Sequence, residues 1–311
     1  MGILDLQSEI EAIVSELDGL MGVCVRDIAT GIEVGLRLDE SLPMASTCKV
    51  PILVTAYRRV EAGLLNLTDR IEITEETRTW GSGLFNAFDT GIKPTLHDLL
   101  LMMIVVSDNA ATDIVLSQLP AGEVSRTMVE LGHANIRCDR TIQRLIGDYF
   151  IALEPQLETM KYGEWDDYVE RIPGLAERGK DLNIIREAVN ASASDKDTAT
   201  VREMARLCAQ IAENICASEE SCSAMLEIMD RQVLNGRLPR HLPPFTRFPH
   251  KTGTLGSGAV VNDTGILYIE DRPVASVCVL SRDMRCPISA TETAMARIGR
   301  AVYDAYGKPA S

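Results

Sequence analysis

Strand-forming sequence occupies only the two ends of this chain, and that distribution constrains the fold more than any other feature. Near the start, "MGVCVRDIATGIEVGLRLDE" sets Val23 and Val25 between less apolar neighbours, turns through "DIATG" and returns over Ile32 to Arg37, the pattern of a β-hairpin. Near the other end, "GAVVNDTGILYIEDRPVASVCVLSRD" predicts strands over Gly265–Ile269 and Val274–Leu280, with "EDRP" as the turn. The segment after it, "SATETAMARIGRAVYDAY", has helical spacing and a Ser/Thr-rich start suited to capping. A further helix is expected at the N-terminus, where Ile3, Leu6, Ile10, Ile13 and Leu17 recur at helical intervals. Between the ends the pattern is helical over Val50–Leu64, Leu96–Val106, Asn109–Leu119, Ala121–Leu131 and Thr200–Glu213. The expected fold is therefore α/β (α+β). An antiparallel sheet from residues 1–50 and 211–311 is flanked by helices, and residues 51–210 form an inserted all-helical region. Within it, Thr141–Asp195 is an extended, charged segment with interspersed aromatics, read as extra amphipathic helices or as a lid, with its length favouring helices.

The formal charge of −14, with a sequence pI near 4.8, argues against a nucleic-acid or anionic-membrane partner and leaves a small molecule as the expected one. The eight cysteines, at 24, 48, 138, 208, 216, 222, 278 and 286, include no CxxC pair, and none of the four histidines lies near a cysteine pair. Buried free thiols are expected, with no metal and no cofactor. The acidic, helical start is unlike a signal peptide, so a cytoplasmic location is expected.

Three short fragments carry chemistry. In "MASTCKVPIL", Ser46 and Lys49 stand three apart at a helix start, so the two side chains share a face. A serine hydroxyl needs a base, and a lysine becomes one when burial disfavours its ammonium form. Backbone N–H groups at a helix start would also face a developing oxyanion. Alone, S-x-x-K also fits a solvated helix start. The second fragment, "VVSDNAATDIVL", places Ser107-Asp108-Asn109 between helical segments, where it also fits a capped helix break. The third, "FPHKTGTLGSG", places Lys251-Thr252-Gly253 before a strand, where it also fits a polar strand start with glycine kinks.

Together and in this order, the three fragments resemble the serine β-lactamase and penicillin-binding protein superfamily, and class A β-lactamases most of all. The resemblance runs from the first hairpin to the last helix, interrupted around residues 145–190. It implies that Ser46 is the nucleophile, Lys49 its proton acceptor, and Ser107 the relay to the leaving nitrogen. By the same resemblance Asn109 binds a substrate amide and Lys49. Lys251 holds the Ser107 hydroxyl and a substrate carboxylate, and Thr252 adds a hydroxyl to that subsite. The N–H groups of Ser46 and Thr254, beside Gly253, would form the oxyanion hole. The implied function is a serine hydrolase working through an acyl-serine on a carboxylate-bearing amide, lactam or ester.

One part of the pattern is missing. Class A enzymes carry Arg-x-Glu-x-x-Leu-Asn, whose glutamate activates the deacylating water. Here "CDRTIQRLIGD" aligns with Arg140 as the arginine, which puts Ile142 at the glutamate and Ile146 at the asparagine. Arg140 is still expected to pair with Asp197. Replacement bases could be Glu154, Glu158 or Glu164, or Lys49 could serve both half-reactions. A true class A-like β-lactamase, a transacylase and a covalent binding protein with impaired deacylation are the alternatives. Trp80 and Phe85 are expected at the site rim, either stacking on substrate or anchoring their loop. Cys48 is expected to be a core thiol, and His97 and His250 to be structural.

Overall fold

The two ends of the chain meet along one strand pair. In the computed structural model, which describes residues 6–159, 181–192 and 196–307, β1 (Leu20–Asp27) runs antiparallel to the late strand Arg272–Arg282, with Val23 opposite Val279 and Cys24 opposite Cys278. The other strands are β2 (Glu33–Leu36), β3 (Leu42–Pro43), β4 (Thr198–Ala199), β5 (His250–Leu255) and β6 (Val260–Ile269), and Arg272–Arg282 is β7. The main sheet is antiparallel in the order β2-β1-β7-β6-β5, while β3 and β4 form a separate short pair. β5, which carries the third motif, is thus an edge strand.

Each face of the sheet has its own core. On one face α1 (Leu6–Ser15) packs beside the C-terminal helix, burying Leu6, Ile10 and Ile13 with Met295, Ile298 and Val302. On the other face Val201, Met204, Ala205 and Cys208, one stripe of Val201–Ala212, meet Cys24, Ile266 and Cys278. Beyond that helix lies the helical layer: α2 (Lys49–Glu61), α3 (Leu96–Val105), α4 (Asn109–Ser117), α5 (Glu123–Glu130), α6 (Ile142–Leu153) and α7 (Leu182–Ser192). Val201–Ala212 is α8, Glu219–Asp230 α9 and Ile288–Tyr306 α10. Among the described residues no helix is long and apolar enough to cross a membrane.

Two local expectations are corrected. Ser46 lies in a 3₁₀ turn, Ala45–Cys48, and α2 begins only at Lys49. The start of α10 has Pro287 at its N-cap position and no side-chain cap, because the ring's fixed φ leads the chain directly into Ile288. The described parts of Thr141–Asp195 are helical: α6, a 3₁₀ turn over Pro155–Thr159, and α7. Glu164 falls outside the described residues. α7 is wedged between α6 and the β5–β6 connection, where Ile185 and Val189 bury against Ala45, Ala259 and Val260. A Cβ at Gly256 (φ 56°) would come within 2.4 Å of Val189 Cγ2, so this position requires glycine both for space and for its backbone.

One buried amide ties the sheet to the helical layer. Asn262 on β6 donates through Nδ2 to the carbonyls of Pro43 (2.8 Å) and Met44 (2.9 Å), and its Oδ1 accepts from the Ser281 N–H (2.8 Å). Met44 in turn donates its N–H to the Asp197 carbonyl at 3.0 Å. Replacing Asn262 with leucine leaves buried backbone groups without partners, each worth roughly 1–3 kcal/mol. We expect N262L to lower unfolding free energy by about 2–4 kcal/mol in urea titrations; a loss under about 0.5 kcal/mol would show that the tether is dispensable.

Candidate active site

Three pieces of chain converge where β5 passes the start of α2. The Ser46 turn is pressed against the strand so closely that a Cβ on Gly253 would lie 2.9 Å from the Met44 carbonyl and 3.0 Å from the backbone nitrogens of Ser46 and Thr47. The glycine of the third motif is therefore a steric requirement. It lets β5 lie beside the Ser46 N–H, and the next strand residue, Thr254, lines the same cavity. The turn itself is entered through Ala45 at φ 47°, an uncommon conformation for a residue with a side chain. In a 3₁₀ turn residues three apart eclipse, which stacks Ser46 and Lys49 along one face.

Lys49 is fully buried. Its Nζ lies 2.8 Å from the Ser107 carbonyl, 2.8 Å from Asn109 Oδ1 and 3.1 Å from Ser107 Oγ. Desolvation brings its pKa down to about 8, against the smaller opposing influence of Cys48, Asp108 and Asp113. At pH 7 such a group is neutral in about a tenth of molecules, compared with roughly three in ten thousand for a solvated lysine. A neutral amine has two protons and one lone pair. The carbonyl and amide oxygens can only accept, so they take the protons, and the lone pair is left for a hydroxyl. Lys49 is thus bonded to Ser107 and Asn109 in this structure, and the Ser46 hydroxyl has no hydrogen-bond partner among the described residues.

Lys251 is also fully buried, and desolvation followed by repulsion from Lys49 drives its pKa well down. It donates to the Thr252 carbonyl at 2.7 Å rather than to the Ser107 hydroxyl, which Lys49 meets instead. Ser107 has φ 58°, a strained turn that is held from both sides. Its carbonyl accepts from Ser82 Oγ (2.7 Å), and the Asp108 carboxylate accepts from the N–H groups of Leu84, Phe85 and Ala111. Asn109 donates Nδ2 to the Trp80 carbonyl (2.7 Å), and its N–H bonds the Ser82 carbonyl. Gly81 and Gly83 make this approach possible, since a Cβ on either would clash with Asn109 or Asp108.

Several participants were not foreseen. Arg237 is buried behind β5 and donates to the Gly253 carbonyl, the Asn262 carbonyl and Thr254 Oγ1 at 2.7, 2.7 and 2.6 Å, with Glu292 at 3.3 Å. It sets a cation against the Thr254 hydroxyl, next to Thr252 and the subsite expected for a carboxylate. Asp113 accepts from the N–H groups of Ile142 (2.6 Å) and Gln143 (2.8 Å) and from Thr79 Oγ1 (3.1 Å), so it fixes the start of α6. Burial holds its pKa above the usual carboxylate range. Its position four residues after Asn109, on the same face of α4, was a readable signal; Arg237 had none. Arg140 pairs with Asp197 (2.5 Å) and Asp148 (2.7 Å), closing the loop neck as expected.

The cavity over Ser46 is about 570 Å³. Ser46, Ser107, Asn109, Thr252, Gly253 and Thr254 line it, and Ile142, Leu145, Ile146, Tyr149 and Phe150 of α6 form an apolar wall with Trp80. No Asp or Glu among the described residues lines it. Glu154 is buried at the end of α6 and Glu158 is exposed beyond it, and neither lines the cavity. Trp80 faces the cavity, edge-on to Phe150 at 5.9 Å, whereas Phe85 is buried in the core and anchors the loop. Cys48 is a core thiol whose burial pushes its pKa up to about 12. His250 is buried between Asp263 (2.8 Å) and Asn235 (3.0 Å), outside the cavity.

A sheet from both chain ends, an inserted helical layer and these three motifs at their seam define the architecture of serine β-lactamases and penicillin-binding proteins. The chain belongs to the β-lactamase enzyme family, whose profile matches residues 5–306. It is similar to the β-lactamase of Sphaerobacter thermophilus, with a TM-score of 0.76, 26% identity and 97% and 99% of the two chains covered. It is similar in fold to PBP-A, with a TM-score of 0.75, 22% identity and coverage of 99% and 98%. Among curated proteins, β-lactamase CARB-4 of Pseudomonas aeruginosa is 22% identical over 302 residues, 97% of this chain and 90% of that one. The β-lactamase regulatory protein BlaB of Streptomyces cacaoi is 29% identical over 129 residues, 41% of each chain. The chain spans 41–48% of the length of the first curated relatives it matches.

The depressed Lys49 pKa gives acylation a definite pH dependence. With Lys49 as the expected base for Ser46, only its neutral amine would accept the proton, so the rate with a reactive ester should rise with pH through about 8 and level off above it. K49A should acylate about 10²–10⁴-fold more slowly in stopped-flow assays and lose that rise. A flat profile in the wild-type protein would exclude Lys49 as the base.

Proposed function

We propose that this chain is a serine hydrolase of the β-lactamase type, with Ser46 acylated by a carboxylate-bearing amide, lactam or ester and the acyl-serine hydrolysed slowly. The Ser46 oxygen attacks the carbonyl carbon while neutral Lys49 takes the hydroxyl proton. The N–H groups of Ser46 and Thr254 hold the tetrahedral oxyanion. Ser107, bonded to Lys49, passes a proton to the departing atom, and the carbonyl re-forms as an ester on Ser46. The leaving side is anchored by its carboxylate on Thr252 and Thr254, with the Arg237 guanidinium bonded to the Thr254 hydroxyl.

The observation that carries the slow second half is the α6 wall. Where the family's water-activating glutamate falls, Ile142 is buried against the cavity, and its neighbours there are Leu145 and Ile146. Hydrocarbon cannot accept a proton from water. Asp113, which fixes the start of α6, is committed to two backbone N–H groups and a threonine hydroxyl. In this reading Lys49, a buried amine of lowered pKa at the site, serves both half-reactions.

An intact-mass time course with benzylpenicillin tests this. The expected result is a one-to-one adduct that is absent in S46A and persists for minutes or longer. Rapid penicillin turnover without adduct accumulation would overturn the slow-deacylation reading, and the absence of both adduct and turnover would remove penicillins from the substrate class.

A further inference from the structure

α6 presents more hydrocarbon to the active site than a scaffold helix needs. Ile142, Leu145, Ile146, Tyr149 and Phe150 recur at intervals of three and four, so they form one stripe. One flank of the stripe is buried on α7, where Tyr149 and Leu153 pack with Ile185, Ala188 and Val189. The other flank lines the cavity, with Ile146 Cδ1 beside the Gly81 backbone and close to Asn109. Leu234, 48% exposed, extends the apolar lining at the rim. The hydroxyls of Thr252 and Thr254 and the Arg237 guanidinium are gathered on one side, and the hydrocarbon around Ile146.

We propose that the α6 stripe is an apolar acyl-group subsite, so that the substrates of this chain carry a hydrocarbon or aryl group of several carbons on the acyl side of the scissile bond. This rests on the reading of Ser46 as nucleophile. The carboxylate pocket fixes one side of the substrate, and the α6 wall takes the other. The leaving group departs after acylation while the acyl group stays, so a large apolar acyl group covers its own ester and excludes water from it. One surface thus accelerates the first half-reaction and slows the second. Each methylene buried there is worth about fourfold in binding.

S-acyl mercaptoacetates test this, with acetyl, hexanoyl and phenylacetyl groups on a constant carboxylate-bearing leaving group. Ser46 Oγ bonds the thioester carbonyl carbon, the C–S bond breaks, and the serine proton leaves on mercaptoacetate. Intact mass reads the acyl-serine, and a thiol reagent reads the release. Hexanoyl and phenylacetyl thioesters should acylate at least tenfold faster than acetyl and deacylate more slowly, and I146S should reduce that preference to under threefold. Equal rates for all three would overturn the subsite and leave the Ser46 reading standing. Calorimetry on S46A separates the two claims without chemistry. At least tenfold tighter binding of N-hexanoylglycine than of N-acetylglycine supports the subsite even if no thioester acylates Ser46, which would sink the nucleophile reading. Failure of S46A to discriminate between the two overturns the subsite.

Discussion

Two lysines with no solvent exposure, at the seam between sheet and helices, set the terms for everything around them. Desolvation pulls the pKa of both down, and repulsion from Lys49 adds to the fall of Lys251. The surroundings are correspondingly rich in acceptors rather than counter-ions. Lys49 faces the Ser107 carbonyl and Asn109 Oδ1, and Lys251 faces the Thr252 carbonyl. The nearby carboxylates are tied up elsewhere: Asp108 on the N–H groups of Leu84, Phe85 and Ala111, and Asp113 on the start of α6. A carboxylate bonded directly to Lys49 would restore its charge and remove its capacity as a base. The site depends on withholding that partner.

Holding the acceptors in place takes close backbone packing. The sheet meets the Ser46 turn at Gly253, the loop before α3 meets the second motif at Gly81 and Gly83, and Ala45 and Ser107 sit in strained conformations on either side. Such positions persist only where surrounding bonds over-determine them. Asn262 does this for the Ser46 turn and Asp108 for the second motif. Neither touches the cavity, yet each decides where a cavity residue lies.

The legible parts of this architecture were those written locally. Period-two and period-3.6 patterns located the sheet at the chain ends and the helices between, and S-x-x-K needed only a single turn to bring its two side chains onto one face. The Arg140–Asp197 pair was legible from the family pattern alone. Arg237 was not, because it reaches Thr254 through irregular chain that carries no periodicity. Lys251 was expected to bond Ser107 and instead bonds its neighbour's carbonyl, a choice made by burial and by Lys49, neither visible in "KTG". The role of Trp80 against Phe85 was also undecided in sequence. Both are aromatic and five residues apart, and only the fold of the loop puts one in the cavity and the other in the core.

α6 shows why one substitution in a family pattern seldom stands alone. Its start is pinned by Asp113 and by the Arg140 cluster, so its residues project into the cavity whatever their chemistry. With a glutamate at position 142, the same helix turn would need room for water and a polar surround to keep the carboxylate charged. With isoleucine there, the wall itself offers water no proton acceptor, and its hydration becomes a cost that apolar neighbours reduce. Leu145, Ile146 and Tyr149 continue the same apolar surface along the cavity. In the proposed reading, the absent glutamate and the hydrocarbon surface of α6 go together. A site that gives up activating water on this wall can fill the same space with substrate.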